Sequence, residues 1–291
     1  MPVSSSPLSP SLSRSTLVSR LRAAGCVFAE DEARLLFSTA RTPDELDAMM
    51  RRRVAGLPLE HVLGWAEFCG LRIAVDPEVF VPRRRTEFLV RQAIAHAHAR
   101  ARALRAAEAL PSAGAVVAAG RTVVVDLCCG TGAVGAALVA ALGPDVELYA
   151  ADVDPVAVRC ASRNVSSFGG RVYVGDLFAP LPGALRGRIE VLAANVPYVP
   201  TGAVGLLPSE AREYEPLVAL DGGADGLDVL RRVAAAAPNW LAPGGCVLVE
   251  TSEGQAAEAV AAFVRAGLTA RVATSDELTA TVVIGTRAGP A

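Results

Sequence analysis

The sequence contains no lysine: all 28 basic residues among its 291 are arginine. Schiff-base chemistry and the phosphate-gripping lysine of a P-loop are therefore excluded. Histidine is scarce, limited to His61, His96 and His98, and these read as surface or hinge residues rather than catalysts. None of the six cysteines (Cys26, Cys69, Cys128, Cys129, Cys160 and Cys246) belongs to a C-x-x-C pair. So few spaced ligands do not make a structural zinc site, and no metal is assigned. The apolar settings of the cysteines suit reduced core residues of a cytoplasmic protein. Excess charge is missing too. The net charge is −2, against the strongly basic surface that phosphate backbones select. The amino-terminal MPVSSSPLSPSLSRS has no apolar core, so no secretory signal is expected.

Apolar residues are abundant, at 52%, which is enough for a sizeable core and excludes global disorder. One uncharged run, residues 127–144, reaches membrane length. Gly130, Gly132 and Gly135 crowd its first half, and Asp126 and Asp145 bracket it. A strand, a glycine turn and a buried helix explain it better than a membrane span, and no membrane partner is expected.

After a Ser/Pro-rich tail come three short helical patterns. The third opens with Thr42-Pro43-Asp44-Glu45, a capping box with proline at the first helical position. WAEFCGLRIAV suggests a hairpin and VFVP a short strand, and a long helix pattern begins near Thr86. From Arg121 onward, apolar strands alternate with helices: TVVVDL, ELYAADV, RVYVGDL, IEVLAANV, GCVLVET and a final pair. This pattern predicts an α/β fold with a doubly wound, mostly parallel, seven-stranded Rossmann-like sheet. The expected division is a tail and small helical domain over 1–60, a hairpin connector over 61–85 and the α/β domain over 86–291.

Asp126-Leu-Cys-Cys-Gly-Thr-Gly132 lies between the first sheet strand and its helix. A glycine turn there lets backbone approach a ligand closely, with helix-end N–H groups exposed. Asp152 ends the next strand, where a carboxylate can accept both ribose hydroxyl protons of a nucleoside. The spacing Gly130-x-Gly132-x-x-Gly135 also satisfies a dinucleotide fingerprint. Two features argue against a dinucleotide. Asp126 is placed to bind the amino group of a zwitterionic ligand, and Asn195-Val196-Pro197-Tyr198 follows the fourth strand.

With these motifs in place, the chain resembles the class I S-adenosyl-L-methionine-dependent methyltransferases. More narrowly, it resembles the protein-(glutamine-N5) methyltransferases of the HemK/PrmC family, which act on peptide chain release factors. Val81-Pro-Arg-Arg-Arg-Thr-Glu87 resembles the family's Pro-Arg-x-x-Thr-Glu segment, and Asn195–Tyr198 stands where the family has Asn-Pro-Pro-Tyr. Arg212-Glu-Tyr-Glu-Pro216 and GGADGLDVL resemble the block that follows. The resemblance implies that Asp126, Cys128, Cys129, Gly130, Thr131, Gly132, Asp152, Asp176, Leu177 and Asn195 bind S-adenosyl-L-methionine, with Asp176 and Leu177 beside the adenine. It implies that Asn195, Val196, Pro197 and Tyr198 bind substrate, with Asn195 and Tyr198 catalytic. The implied partner is a protein substrate held by the helical domain, with no stable nucleic-acid complex and a monomeric enzyme.

An amide nitrogen is a poor nucleophile because its lone pair is delocalised. Holding its two N–H bonds in the Asn195 side-chain oxygen and the residue 196 carbonyl would orient the lone pair. There are two departures from the family pattern. Cys128 replaces a turn glycine, which is tolerable if its φ stays negative. Val196 replaces a proline but keeps the carbonyl and, before Pro197, the extended backbone. Methylation of an exocyclic amino group on a nucleic-acid base, and cofactor binding without catalysis, remain as alternatives. Arg51–Arg53 and Arg83–Arg85 read as either a docking patch or plain solvated charge.

Overall fold

The computed structural model describes residues 13–108 and 121–289. The Ser/Pro-rich tail and the glycine-alanine link after the long helix lie outside the described residues.

Four helices come first: α1 (Arg14–Ala23), α2 (Ala29–Thr39), α3 (Pro43–Val54) and α4 (Leu59–Leu63). They close around Leu17, Leu21, Leu36, Met49 and Met50. The Thr42 hydroxyl caps α3 by accepting the Glu45 amide at 3.2 Å, as the sequence pattern predicts. The reciprocal half of the box is displaced by one residue, because the Glu45 carboxylate accepts from the Arg41 amide at 2.8 Å.

The antiparallel hairpin β1 (Trp65–Phe68) and β2 (Leu71–Ala74) follows. The stretch Val79–Pro82 is not the expected strand. Val79 and Val81 are buried, but the Val81 amide donates to the Glu215 carboxylate at 3.1 Å instead of joining a ladder. A side-chain acceptor satisfies this backbone, so it need not be in a sheet. His61 is likewise not a surface residue: it is buried, and its Nε2 donates to the Val79 carbonyl at 2.8 Å. Half-buried His96 bonds the Gly244 carbonyl, and His98 is exposed.

After α5 (Glu87–Glu108) the sheet begins. Its elements are β3 (Thr122–Leu127), α6 (Ala133–Leu142), β4 (Val146–Asp152), α7 (Pro155–Val165), β5 (Arg171–Val174) and β6 (Ile189–Ala194). Then come α8 (Ser209–Tyr214), α9 (Leu217–Leu220), α10 (Asp228–Ala236), β7 (Leu241–Thr251), α11 (Ala256–Arg265), β8 (Thr269–Ser275) and β9 (Ala280–Thr286). The strand order is β5-β4-β3-β6-β7-β9-β8, with β9 alone running opposite to the other six strands. This is the predicted seven-stranded sheet.

The two faces of the sheet bury separate clusters. The strand period of two sorts β3 between them. Val123, Val125 and Leu127 join one cluster and Val124 the other, which leaves Asp126 on the α6 side. The uncharged run folds into the end of β3, the turn and α6, whose residues Ala133–Val139 are all buried. Among the described residues no helix is long and apolar enough to cross a membrane. The chain passes from β3 outward through β4 and β5, then returns to lay β6 on the other side of β3. Such a switch point opens a crevice at the carboxyl ends of the strands.

Candidate active site

That crevice is a cavity of about 350 Å³. The turn after β3, the end of β4, the segment after β6 and the irregular stretch before α5 all contribute to its wall. Backbone bonds hold the turn: the Cys129 amide donates to Ala151 at 3.2 Å and the Gly132 amide to Cys129 at 2.6 Å. Gly132, at φ +74°, packs so closely on α7 that a Cβ would sit 3.1 Å from Ala161 and Val165. Cys128 departs from expectation. Its φ is +53°, in the left-handed region that its Cβ disfavours. The fixed turn and the packing of its side chain against the core impose that conformation. Burial pushes both the Cys128 and the Cys129 thiols well up, so neither is a thiolate nucleophile.

Two carboxylates face this turn. Asp126 is 1% exposed, and its Oδ2 accepts the Gly135 amide at 2.9 Å. A side chain at 135 would lie 3.2 Å from that oxygen, so glycine is what admits the contact. Burial pushes the Asp126 carboxyl up to about 8; the Gly135 N–H opposes the shift and the negative Asp152 adds to it. Asp152 accepts the Gly130 amide at 2.8 Å and the Asp154 amide at 3.0 Å. Burial raises it as well, and those amides counteract the shift.

Asn195 extends from the end of β6. Its Nδ2 lies 3.5 Å from the buried Thr86 hydroxyl, while its Oδ1 is buried with no hydrogen-bond partner among the described residues. Val196, 1% exposed, belongs to the core cluster and also lines the cavity, together with Pro197 and Tyr198. The Tyr198 hydroxyl donates to Glu250 Oε1 at 3.1 Å, and Arg85 Nε donates to the same oxygen at 3.0 Å. Burial, with the Glu250 charge beside it, raises the Tyr198 phenol.

A methyltransferase small domain family matches residues 107–201. A release factor glutamine methyltransferase of Geobacter sulfurreducens is 37% identical over 236 residues, which covers 79% of this chain and 74% of that relative. The chain belongs to the release factor glutamine methyltransferase family. A second relative of that description, from Mycolicibacterium smegmatis, is 34% identical and covers 86% of this chain and 82% of its own length. A 4-amino-L-phenylalanine/4-methylamino-L-phenylalanine methyltransferase of Streptomyces pristinaespiralis is 34% identical over 74% of this chain and 68% of the relative. The enzyme is a methyltransferase, and its family uses S-adenosyl-L-methionine as methyl donor.

The fold gathers Asp126, Cys128, Cys129, Gly130, Thr131, Asp152, Asn195, Val196, Pro197 and Tyr198 around one cavity, with Gly132 closing the turn behind it. Asp176 and Leu177 are not in its wall. Asp176 is an exposed partner of Arg232, and Leu177 packs against the core at φ +49°. Three members of the two arginine clusters are committed to ion pairs within the fold, while Arg51, Arg52 and Arg84 are exposed. Buried Arg53 pairs with Glu32 and Glu210, Arg83 with buried Glu215 and Arg85 with buried Glu250. Sequence reasoning missed Glu250 and Glu215. A signal for Glu250 was present, since it is the one charge in the apolar strand GCVLVET.

Proposed function

We propose that the chain transfers the methyl group of S-adenosyl-L-methionine to the side-chain amide nitrogen (N5) of a glutamine in a protein, and that this protein is a peptide chain release factor. The observation that carries the reading is the buried, unpartnered Oδ1 of Asn195. Left unfilled, such an acceptor costs about 1–3 kcal/mol, which an incoming N–H group would offset. The names of the relatives supply the substrate.

The residues present fit the cofactor. Asp152 retains lone pairs beyond the two amides it accepts and can take ribose hydroxyls. Asp126 offers a fully buried carboxyl for the amino group of the methionine portion, and the Cys128–Thr131 turn lines the space between the two carboxylates. The adenine contact of Asp176 and Leu177 is supported by the family resemblance alone. When bound, the cofactor supplies an electrophilic methyl on a sulfonium.

The chain's own residues orient the acceptor. Asn195 Oδ1 takes one amide N–H and the Val196 carbonyl the other, which fixes the nitrogen lone pair toward the cofactor side. As the nitrogen gains positive charge, both acceptors bind it more strongly. Tyr198, fixed by its bond to Glu250, packs against the planar amide. The alkylated nitrogen is strongly acidic, so no dedicated base is required before transfer.

The test uses labelled S-adenosyl-L-methionine with a release factor, and with tRNA, DNA and 4-amino-L-phenylalanine as controls. Label on a release-factor glutamine is expected, and label on nucleic acid or the free amine alone overturns the reading. Asn195→Ala should lower kcat by on the order of 10²–10³-fold. Val196→Pro keeps the carbonyl and should retain most of the rate; its collapse in single-turnover transfer would show that valine serves a different acceptor.

A further inference from the structure

GGADGLDVL, residues 222–230, and the turn that opens α11 carry no group proposed to touch cofactor or substrate, yet both are built against the Asn195–Tyr198 loop. Gln255 stands one residue before α11. Its Nε2 donates to the Tyr198 carbonyl at 2.9 Å and to the Asp225 carbonyl at 2.9 Å. Its Oε1 accepts from the Thr251 hydroxyl at 3.2 Å, the Ser252 hydroxyl at 2.7 Å and the Ser252 amide at 3.3 Å. These neighbours determine which way the amide points. Turned over, its oxygen would face two carbonyls and its NH₂ the Ser252 N–H. Both N–H bonds are taken by backbone carbonyls, and neither is left for a ligand.

The chain beneath is shaped to permit this contact. Gly226, at φ +79°, has no room for a side chain, because a Cβ would collide with the Tyr198 carbonyl oxygen and with Gln255 Nε2. A Cβ on Gly222 would lie 2.6 Å from the Pro197 carbonyl oxygen. Backbone bonds continue the support. The Val199 amide donates to the Leu220 carbonyl at 3.1 Å, the Gly222 amide to Val199 at 2.8 Å and the Thr201 amide to Gly223 at 2.9 Å. Tyr198 is therefore held at both ends, its carbonyl by Gln255 and its hydroxyl by Glu250. The Val196 carbonyl, by contrast, accepts from no group among the described residues. The loop is pinned just beyond the two acceptors it leaves open, Asn195 Oδ1 and the Val196 carbonyl.

We propose that Gln255 is a positioning residue for methyl transfer: its side-chain amide fixes the Tyr198 carbonyl, and through it the Tyr198 ring and the two acceptors upstream. The proposal rests on the reading of this loop as the clamp for the glutamine amide. Gln255 is absent from the wall of the methylation cavity, so it acts through the loop and not on the substrate. A loop with one geometry need not reorganise as charge develops on the nitrogen, whereas a loop free to shift by about an ångström loses the in-line approach.

The test uses the full chain in steady-state and single-turnover transfer of labelled methyl to a release factor. Affinity for S-adenosylhomocysteine is measured by calorimetry and stability by urea unfolding. Gln255→Glu keeps an oxygen for Thr251 and Ser252 but sets a second carboxylate oxygen against two carbonyls. Gln255→Met, at this half-buried position, is neutral and removes both donors, so it decides the outcome where Gln255→Glu does not fold. Each should lower kcat on the order of 10–100-fold, with KM and the S-adenosylhomocysteine Kd changed by less than about threefold. Ser252→Ala loosens the start of α11 and leaves both donors in place; it should lower stability while kcat stays within about twofold of wild type. In an Asn195→Ala background Gln255→Met should cost much less than it does alone, because a clamp lacking one acceptor gains little from alignment. Gln255 variants at wild-type kcat, with Asn195→Ala slow, overturn the positioning role while the glutamine reading stands. So does a loss that appears equally in Ser252→Ala, or one that multiplies in full with Asn195→Ala. Asn195→Ala at the wild-type rate overturns the reading of the loop as the amide clamp, and the role of Gln255 falls with it.

Discussion

At the scale of single residues, the consequential groups are carboxylates whose cost is tied to a ligand. Asp126 titrates near 8 in the folded chain, well above an unfolded aspartate. Between those values the folded state holds a proton that the unfolded state has released. Stability contributed by this group is therefore full at low pH and is lost as pH rises toward 8. A cationic amino group binds the ionised form, so binding below pH 8 releases a proton. Affinity for S-adenosylhomocysteine should strengthen between pH 6 and 8 by up to about tenfold per unit, then stop rising as the ligand's own amine deprotonates. Calorimetry in buffers of different ionisation enthalpy should detect this release, and Asp126→Asn should remove the larger part of it. Cys128 makes a different prediction. Relief of the +53° backbone by Cys128→Gly is offset by lost packing, so unfolding in urea should shift by less than about 1 kcal/mol. Cys128→Val, β-branched in the left-handed region, should destabilise by about 2 kcal/mol.

Among the elements, the short helix α8 has the most to hold in place. Ala211 and Glu210 line the methylation cavity, yet α8 has only 6 residues and one buried side chain, Ala211. Its stability comes from elsewhere. Arg53 on α3 reaches Glu210 at 2.5 Å, the Tyr214 hydroxyl donates to Ala55 at 3.3 Å, and Glu215, just past the helix, is gripped by Arg83 at 2.6 Å. The helical domain is thus tied through side chains to α8, two of whose residues line the cavity. Glu210→Gln should raise KM for a protein substrate roughly tenfold, with affinity for S-adenosylhomocysteine unchanged. Arg53→Met leaves Glu32, 8% exposed, without its partner and should cost about 3–5 kcal/mol in denaturant unfolding.

For the molecule as a whole, the residues proposed to hold the cofactor and the helical domain belong to parts with different cores. The helices α1–α4 surround one cluster, and the sheet buries two others. Ligand at 100 times its Kd should add about 2.7 kcal/mol to the unfolding free energy of the part that binds it. Hydrogen exchange with S-adenosylhomocysteine should therefore slow most at residues 126–135, 152–154 and 195–198, and far less in α1–α3. Equal protection of α1–α3 would mean that the two parts open together and that the link through α8 is rigid.

The sequence by itself determined the sheet, the turn and the chemistry of the loop after β6. These are local signals: apolar runs of strand length, glycines where backbone must turn back, and a carboxylate at the end of a strand. Asp126, Asp152 and Asn195–Tyr198 were legible because each lies at a strand end, and strand ends in a doubly wound sheet converge. Tertiary structure decided what depended on distant partners. The Val79–Pro82 stretch has the composition of a strand but stays irregular, because Glu215, 134 residues away from Val81, takes its amide. Cys128 adopts a positive φ because the turn around it is already fixed. His61 and Arg53 read as surface residues until Val79 and Glu32 are brought beside them. A buried charge is tolerated only where its counterpart arrives through the fold, and no window of neighbouring sequence records which counterpart that is.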